Sequence, residues 1–425
     1  MAQRGIREYD AKIMLATYLP DYIDKFSHEG ELALVTPNTN LEALAAKYPW
    51  VKKKKLVVKP DQLFGKRGAH GLVLLDATWD QVKDYLQENM NKDVLVGTTA
   101  GPLTHFLIEP FIPHAQDDEL YAAIKSDYQG DFIYFSMAGG ISVEENWDQA
   151  TEIEVKIMDD IDDIDLKSKL PSSLGDRLDQ VADFVRALYN LYADLGFAYL
   201  EINPFIFEDG RIVPLDVVAK LDDTEKFWQR ETWKDLDFPE PLGRTLSEEE
   251  KYIKDLDSRT GASLKLTILN PLGRVWTMVA GGGASVIYTD TICDLGFGGE
   301  VANYGEYSGD PSTEDTYEYT KTILDLMTRE KDPQGRPKVL LIGGGIANFT
   351  DVAKTFKGIV MALEDYRDRL RETDVKIYVR RGGPNYEEGL RIMRRLGERL
   401  GVPIEVFGPE THMTRIVPMA LDEGV

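Results

Sequence analysis

The Asp209-Gly210 dipeptide constrains this chain more than any other feature. An Asp-Gly pair between runs rich in Ile, Val, Leu and Phe calls for a two-residue hairpin loop, because the favoured turn needs φ > 0 at both central positions. With those residues as the loop, paired positions sum to 419 and Asn203 falls directly opposite Asp216. Facing residues of an antiparallel pair have Cβ atoms about 4.5–5.5 Å apart. An amide oxygen and a carboxylate at that separation suit one hard cation such as Mg²⁺, which is usually held by one or two protein oxygens plus substrate phosphates. The segment therefore proposes a nucleotide site. An ordinary hairpin with coincident polar residues fits the same pattern, and a bulge at Pro204 or Pro214 would break the register.

A chain of 425 residues is too long for one compact core, so two or three domains are expected. The net charge of -24 repels nucleic acid and anionic membranes, which leaves neither as an expected partner. Any anionic substrate then needs a locally basic pocket. The single cysteine, Cys293, excludes an internal disulfide framework and reads as a small buried residue. The first twenty residues mix Arg, Asp and Glu with apolar positions, unlike a signal peptide, and no segment has the apolar length of a membrane span. A reducing, cytoplasmic setting fits this pattern.

Two halves are visible. Up to about Lys234, short apolar strands alternate with helical stretches; DLDFPEPLGR (Asp235–Arg244) then has a linker's proline and glycine content. Ser247 with Glu250 forms a capping box that opens a short helix to about Leu256. Residues 1–240 are thus expected as one domain, 241–262 as a linker and 263–425 as a second domain. In the second, strand candidates are Leu264–Leu269, Val275–Ala280, Val339–Ile342, Val375–Val379 and Ile404–Phe407. Helical patterns cover Thr313–Thr328, Asp351–Arg369 and Tyr386–Leu400. Strand–helix alternation implies a parallel sheet covered by helices, with ligands beyond the carboxyl ends of its strands.

In the first half, Lys59 ends an apolar run, and Lys66-Arg67-Gly68 follows as a basic loop able to cradle a polyphosphate. A solvated basic edge is the competing reading. Phe106–Pro113 is extended and proline-stiffened, a backbone suited to a ring edge or to a plain connection; Glu119 follows at a distance that suits a ribose. The acidic run Asp159–Asp165 lacks the glycine and glutamate of a calcium loop and reads as solvated. In the second half, Gly343-Gly344-Gly345 opens a helix with Asn348 and Thr350 close behind, an anion cradle or a tight turn with Thr350 as its cap. Arg380-Arg381-Gly382-Gly383 ends another predicted strand, so one sheet edge would hold the glycine loop and a guanidinium able to fork a carboxylate. That edge suits a small polycarboxylate. Gly281–Gly283 is a second glycine loop of undecided role.

These pieces resemble an ATP-grasp domain. Over essentially its full length the chain is similar to the succinyl-CoA-synthetase-β-like portion of the ATP-citrate lyase family. The resemblance is carried by LVVKPDQLFGKRG, FLIEPFIPH, YLEINP, PLDVVAK, GASLKLTILNPLGRVWTMVAGGGASVIYTDTICDLG, ANYGEYSG, GGGIANFT and VRRGGPNYEEG. It implies an ATP-grasp domain followed by a flavodoxin-like parallel α/β domain. It places Lys59, Arg67 and Gly68 at the ATP phosphates, Pro110 and Ile112 at adenine, Glu119 at the ribose, and Asn203 and Asp216 at Mg²⁺. Around citrate it places Gly309, Asn348, Thr350, Tyr366 and Arg381. One departure is Gly345, where the animal enzyme has serine.

The family relays a phosphoryl group from ATP through a histidine to citrate; CoA then displaces it, and citryl-CoA is cleaved to acetyl-CoA and oxaloacetate. Here His28, His70, His105, His114 and His412 are the only histidines, and none sits in a glycine-rich nucleophile loop. The nucleophilic histidine, most of the CoA site and the lyase centre are therefore expected on a second subunit, in a hetero-oligomer. The corresponding subunit of a citryl-CoA synthetase and a non-catalytic citrate or nucleotide sensor are the alternative readings.

Overall fold

The computed structural model describes residues 3–24, 30–97, 99–140, 148 and 150–421; His28 lies outside them. The chain divides into Met1–Thr245 and Leu246–Val425. The helix Glu248–Arg259 belongs to the second unit and is opened by the Ser247/Glu250 capping box. It is stitched to the strand Ser263–Ile268, because Glu250 accepts from the Ile268 amide and Asp257 from the Leu264 amide.

The first unit holds a seven-stranded antiparallel sheet in the order Gln3–Ile6, Val217–Asp222, Phe197–Glu208, Leu120–Asp127, Gly130–Ser136, Thr151–Lys156, with Arg211–Pro214 beside Phe197–Glu208. The helix Leu178–Asp194 covers it with Val181, Phe184, Val185, Leu188 and Leu191, an i, i+3, i+4 stripe that meets the sheet's inward residues. A separate sheet pairs Ala33–Val35, Phe106–Pro110, Leu56–Pro60 and Leu74–Ala77. The hairpin has the expected register: Phe205 faces Pro214, Glu208 faces Arg211, and the same sum continues through Ile202 and Val217. Asp209 and Gly210 both have φ > 0, at 48° and 74°, which lets the tight turn match the strand twist.

In the second unit, Val275–Ala280, Lys338–Gly344, Val375–Arg380 and Ile404–Phe407 form a parallel sheet in that order. Their side chains alternate between two cores. Val275, Val279, Val339 and Leu341 face one side; Trp276, Met278, Leu340 and Ile342 face the other. The first strand candidate behaves differently from the rest. Ser263–Ile268 pairs antiparallel with Asn303–Ser308, a strand the sequence patterning left out. The buried Asn303 amide accepts from the Thr277 amide and donates to the Thr277 carbonyl, taking the place of a backbone ladder, and Val275 bridges Val301 in parallel. Counted with Asn303–Ser308, the spatial order is the 2-1-3-4-5 of flavodoxin-like folds, with its switch point between Val275–Ala280 and Lys338–Gly344.

Cys293 is exposed rather than buried. On the helix Gly282–Asp294 the buried positions are Ser285, Tyr288 and Ile292, and residue 293 falls off that stripe.

Candidate functional site

In the first unit, Lys59, Arg67, Gly68, Pro110, Ile112, Glu119, Asn203 and Asp216 all line one cavity of about 930 Å³. Strand pairing explains the convergence: Lys59 and Glu109 sit on the neighbouring strands Leu56–Pro60 and Phe106–Pro110, while the hairpin delivers Asn203 and Asp216. The Asn203 backbone N–H donates to the Asp216 backbone carbonyl at 2.9 Å, and the Asn203 Oδ1 accepts from the Gly140 backbone N–H at 2.6 Å. Gly140 has φ 62°, a left-handed conformation that favours glycine, and a Cβ there would displace the Glu119 carboxylate.

The electrostatics hold more than the sequence suggested. Glu8 is buried and contacts three cations: Lys59 at 2.6 Å, Arg67 at 2.7 Å and Lys12 at 2.9 Å. Burial opposes ionisation of Glu8, yet Lys12, Lys59 and Arg67 together hold its carboxyl well below the usual range. Arg67 also pairs with Asp216 at 2.5 Å. Lys59 sits 2.9 Å from Glu109; burial disfavours its charge, but Glu109 and Glu8 overcome that and raise it. Glu201 lies two residues before Asn203 on the same strand face; burial raises its carboxyl, and the Tyr199 hydroxyl donates to it. Glu8, Lys12, Glu109 and Glu201 were not read from the sequence as site residues. Only Glu201 had a usable signal, its i, i+2 spacing from Asn203.

Asn203 and Asp216 supply two hard oxygens, and the Asp216 side chain is 35% exposed toward the cavity. That donor set fits a magnesium ion completed by phosphate oxygens. Among the described residues, no group of three acidic, histidine or cysteine side chains forms a metal site by itself. The Phe106–Pro113 backbone is only partly free for a ring edge. The Phe111 amide donates to the Lys55 carbonyl, and His114 Nδ1 lies 2.8 Å from the Ile112 carbonyl.

In the second unit, the loops after Ala280 and Gly344 leave neighbouring strands side by side at the switch point. Gly281, with φ 104°, precedes the helix Gly282–Asp294. The Gly345–Ala347 loop is latched to the arginine loop, since Ala347 donates to the Gly382 carbonyl and Ile346 bridges Gly382. Thr350 is not the helix cap: the Asp351 carboxylate accepts from the Lys354 amide and caps Val352–Asp365. Gly309 ends Asn303–Ser308 at this edge, next to Asp310, which pairs with Lys354 of that helix. Tyr366 is not brought to this place. It follows the far end of the same fourteen-residue helix, about 21 Å from its start, with its hydroxyl 3.5 Å from Asp325.

The two arginines divide their work. Arg380 donates to the carbonyls of Gly344, Pro409 and Thr411 and ties three segments together. Arg381 is 3% exposed, donates to the Gly345 carbonyl at 3.0 Å, and leaves its Nε without a partner. Burial lowers its pKa; the Tyr307 and Tyr288 hydroxyls beside it oppose that, and Arg380 adds like charge. No carboxylate pairs with Arg381 among the described residues. A buried guanidinium that no carboxylate pairs with among the described residues, at a switch point of a parallel sheet, has the charge an anionic ligand requires.

The comparisons with known proteins agree with both halves. A family model described as the ATP-citrate synthase ATP-grasp domain matches residues 2–233, and one described as ATP citrate lyase citrate-binding matches residues 244–423. The ATP citrate lyase of Methanothrix soehngenii, solved with citrate and coenzyme A, is 64% identical with a TM-score of 0.93, covering 99% of this chain and 100% of that one. A mutant ATP citrate lyase of Methanosaeta concilii, solved with (3S)-citryl-CoA, is 63% identical with a TM-score of 0.92 over the same shares. Rice ATP-citrate synthase alpha chain protein 2 is 47% identical over 99% of both chains. The human ATP-citrate synthase is 49% identical over 99% of this chain, which spans only 38% of that relative's length. The chain belongs to the ATP-citrate lyase family.

Proposed function

We propose that this chain is the ATP- and citrate-binding subunit of a split ATP-citrate lyase. The observation that carries the citrate half is Arg381, a buried cation left for an outside carboxylate. Gly309, which follows the strand Asn303–Ser308, and Asn348 and Thr350, which precede the helix Val352–Asp365, would complete a polycarboxylate pocket. In the other unit, Asn203 and Asp216 would hold Mg²⁺, which neutralises phosphate charge when bound. Lys59, Arg67 and Gly68 would position the ATP phosphates, with Pro110 and Ile112 toward adenine and Glu119 toward the ribose.

The phosphoryl group passes to a histidine of a second subunit, which also carries most of the CoA site and the lyase centre. Two findings support that division. The rice relative matched from end to end is named an alpha chain, whereas the human relative is far longer. Among the described residues, His114 is the histidine lining the nucleotide cavity, and both of its ring nitrogens are engaged, by the Ile112 carbonyl and by Glu119. A cytoplasmic hetero-oligomer follows from the same reading; among the described residues no helix is long and apolar enough to cross a membrane.

Calorimetric titration with citrate, using succinate as the control, tests the first half. Selective citrate binding is expected, and preference for succinate would replace the reading with a succinyl-CoA synthetase subunit. Mg·ATP and the supplied second subunit should then give a phosphohistidine on that subunit. A phosphohistidine on this chain would refute the division of labour.

A further inference from the structure

The first helix, Glu8–Tyr18, lacks a side-chain cap of its own. Its first two amides instead donate to the Asp61 carboxylate, at 2.8 and 3.1 Å, so the helix is anchored two residues beyond Lys59. One turn in, Lys12 is fully buried. Its ammonium has three protons to place. It meets Glu109 Oε2 at 2.5 Å, Glu8 Oε1 at 2.9 Å and the Leu215 carbonyl at 2.9 Å. Lys59 takes the same three partners: Glu8 Oε1 at 2.6 Å, the Leu215 carbonyl at 2.7 Å and Glu109 Oε1 at 2.9 Å. Two ammoniums thus share one set of acceptors. They differ in location, since Lys59 lines the cavity and Lys12 stands behind it.

The shared carbonyl belongs to the residue just before Asp216. The Leu215 amide donates to the Pro204 carbonyl, the Asp216 carbonyl accepts from Asn203, and Arg67 holds the Asp216 carboxylate. Arg67 in turn rests on Glu8 Oε2. Three cations, Lys12, Lys59 and Arg67, face the carboxylates of Glu8, Glu109 and Asp216, with buried Asp61 beside Arg67 and Glu8, so the cluster holds no excess positive charge before any nucleotide arrives.

We infer that Lys12 and Glu8 are positioning residues for the metal-binding Asp216, resting on the nucleotide reading above. Glu8 orients Lys12, Lys59 and Arg67 as one body. Lys12 is the resident cation: when Lys59 turns to a phosphate, Lys12 keeps Glu8 and Glu109 neutralised and keeps hold of the Leu215 carbonyl. Without it, either Lys59 stays inward or two buried carboxylates lose their partner while the Asp216 peptide loosens.

The test measures Mn²⁺ binding to the full chain in the presence of ADP, by paramagnetic resonance, for wild type, Lys12→Met and Lys12→Arg. The expected result is about tenfold weaker Mn²⁺ binding in Lys12→Met, the size of one lost charge-assisted contact, with recovery in Lys12→Arg. Citrate binding should change little, which a general loss of structure would not allow. Should Lys12→Met not fold, Lys12→Met with Glu109→Gln restores the charge balance, and its Mn²⁺ affinity decides the matter in the same way. Wild-type Mn²⁺ affinity in Lys12→Met, or in the double variant where the single one does not fold, would overturn the inference while leaving the nucleotide site standing. No Mn²⁺·ADP binding by the wild-type chain would overturn the nucleotide reading itself.

Discussion

The two sites handle positive charge in opposite ways. In the nucleotide cavity every central cation is matched inside the protein: Lys12, Lys59 and Arg67 rest on Glu8, Glu109 and Asp216. In the second unit Arg381 is as deeply buried, and among the described residues no carboxylate pairs with it. The difference follows from what each ligand brings. A nucleotide arrives with a divalent cation, so the protein's own charges orient groups and need no excess. A polycarboxylate arrives without one, so the protein must hold a cation in reserve and bear its desolvation. Buried charge therefore reports a ligand most directly where it is unbalanced.

Removing a cation should accordingly have opposite effects on stability in the two units. Lys12→Met leaves Glu8 and Glu109 short of their resident cation and should destabilise the first unit by about 3 kcal/mol, read by urea unfolding of the chain. An unaffected midpoint would show that Lys59 alone satisfies the cluster. Arg381→Met should weaken citrate binding by about 1.5–3 kcal/mol, roughly ten- to hundred-fold, while leaving stability equal or higher, because an unpaired buried charge is lost. Calorimetry and thermal unfolding on one sample check both; a large fall in stability would mean that Arg381 is a structural residue. Asp216→Asn should weaken Mg²⁺·ATP binding by about tenfold and spare citrate, measured by paired titrations. Loss of both ligands would break the separation of the two sites.

The smallest effect concerns pH. Burial, with Asp61 nearby, pushes the Asp10 carboxyl up to about 7, and burial, with Glu8 nearby, pushes Asp61 up to about 6. The ordinary carboxylate value is near 3.8, so between about pH 4 and these values the folded chain holds more protons than the unfolded one. Their contribution is complete below about pH 4 and is lost as pH rises through 6 to 7. Asp10→Asn should therefore stabilise the first unit at pH 8, on the order of 1 kcal/mol after discounting for partial exposure, with no difference at pH 4. Thermal unfolding at the two pH values checks it; an equal shift at both would assign the effect to packing.

The hairpin and the parallel strands were legible because both follow from local rules. Asp-Gly selects the turn and thereby the pairing of Asn203 with Asp216, and apolar runs between turn residues mark Val275–Ala280 and Lys338–Gly344. Asn303–Ser308 was not legible. Its residues, NYGEYS, carry little apolar signal, and the strand is held by an antiparallel neighbour and by the Asn303 amide. Cys293 was misread for a related reason, since one residue's exposure depends on which helical face the sheet covers.

The site divides along the same line. The sequence by itself determined the chemistry at hand: oxygen ligands across a tight turn and arginines ending a strand, each specified by neighbours a few residues apart, whereas Gly343 and Gly344 end a strand and the next helix opens only at Val352. Only the tertiary structure decided which charges are spent. Glu8 and Lys12 lie far along the chain from Glu109 and Leu215, and Arg380 and Arg381 are adjacent yet differ, one bound to carbonyls of three segments and one buried with no carboxylate paired to it among the described residues. Charge balance depends on distances in space, and at these separations nothing in local sequence encodes it.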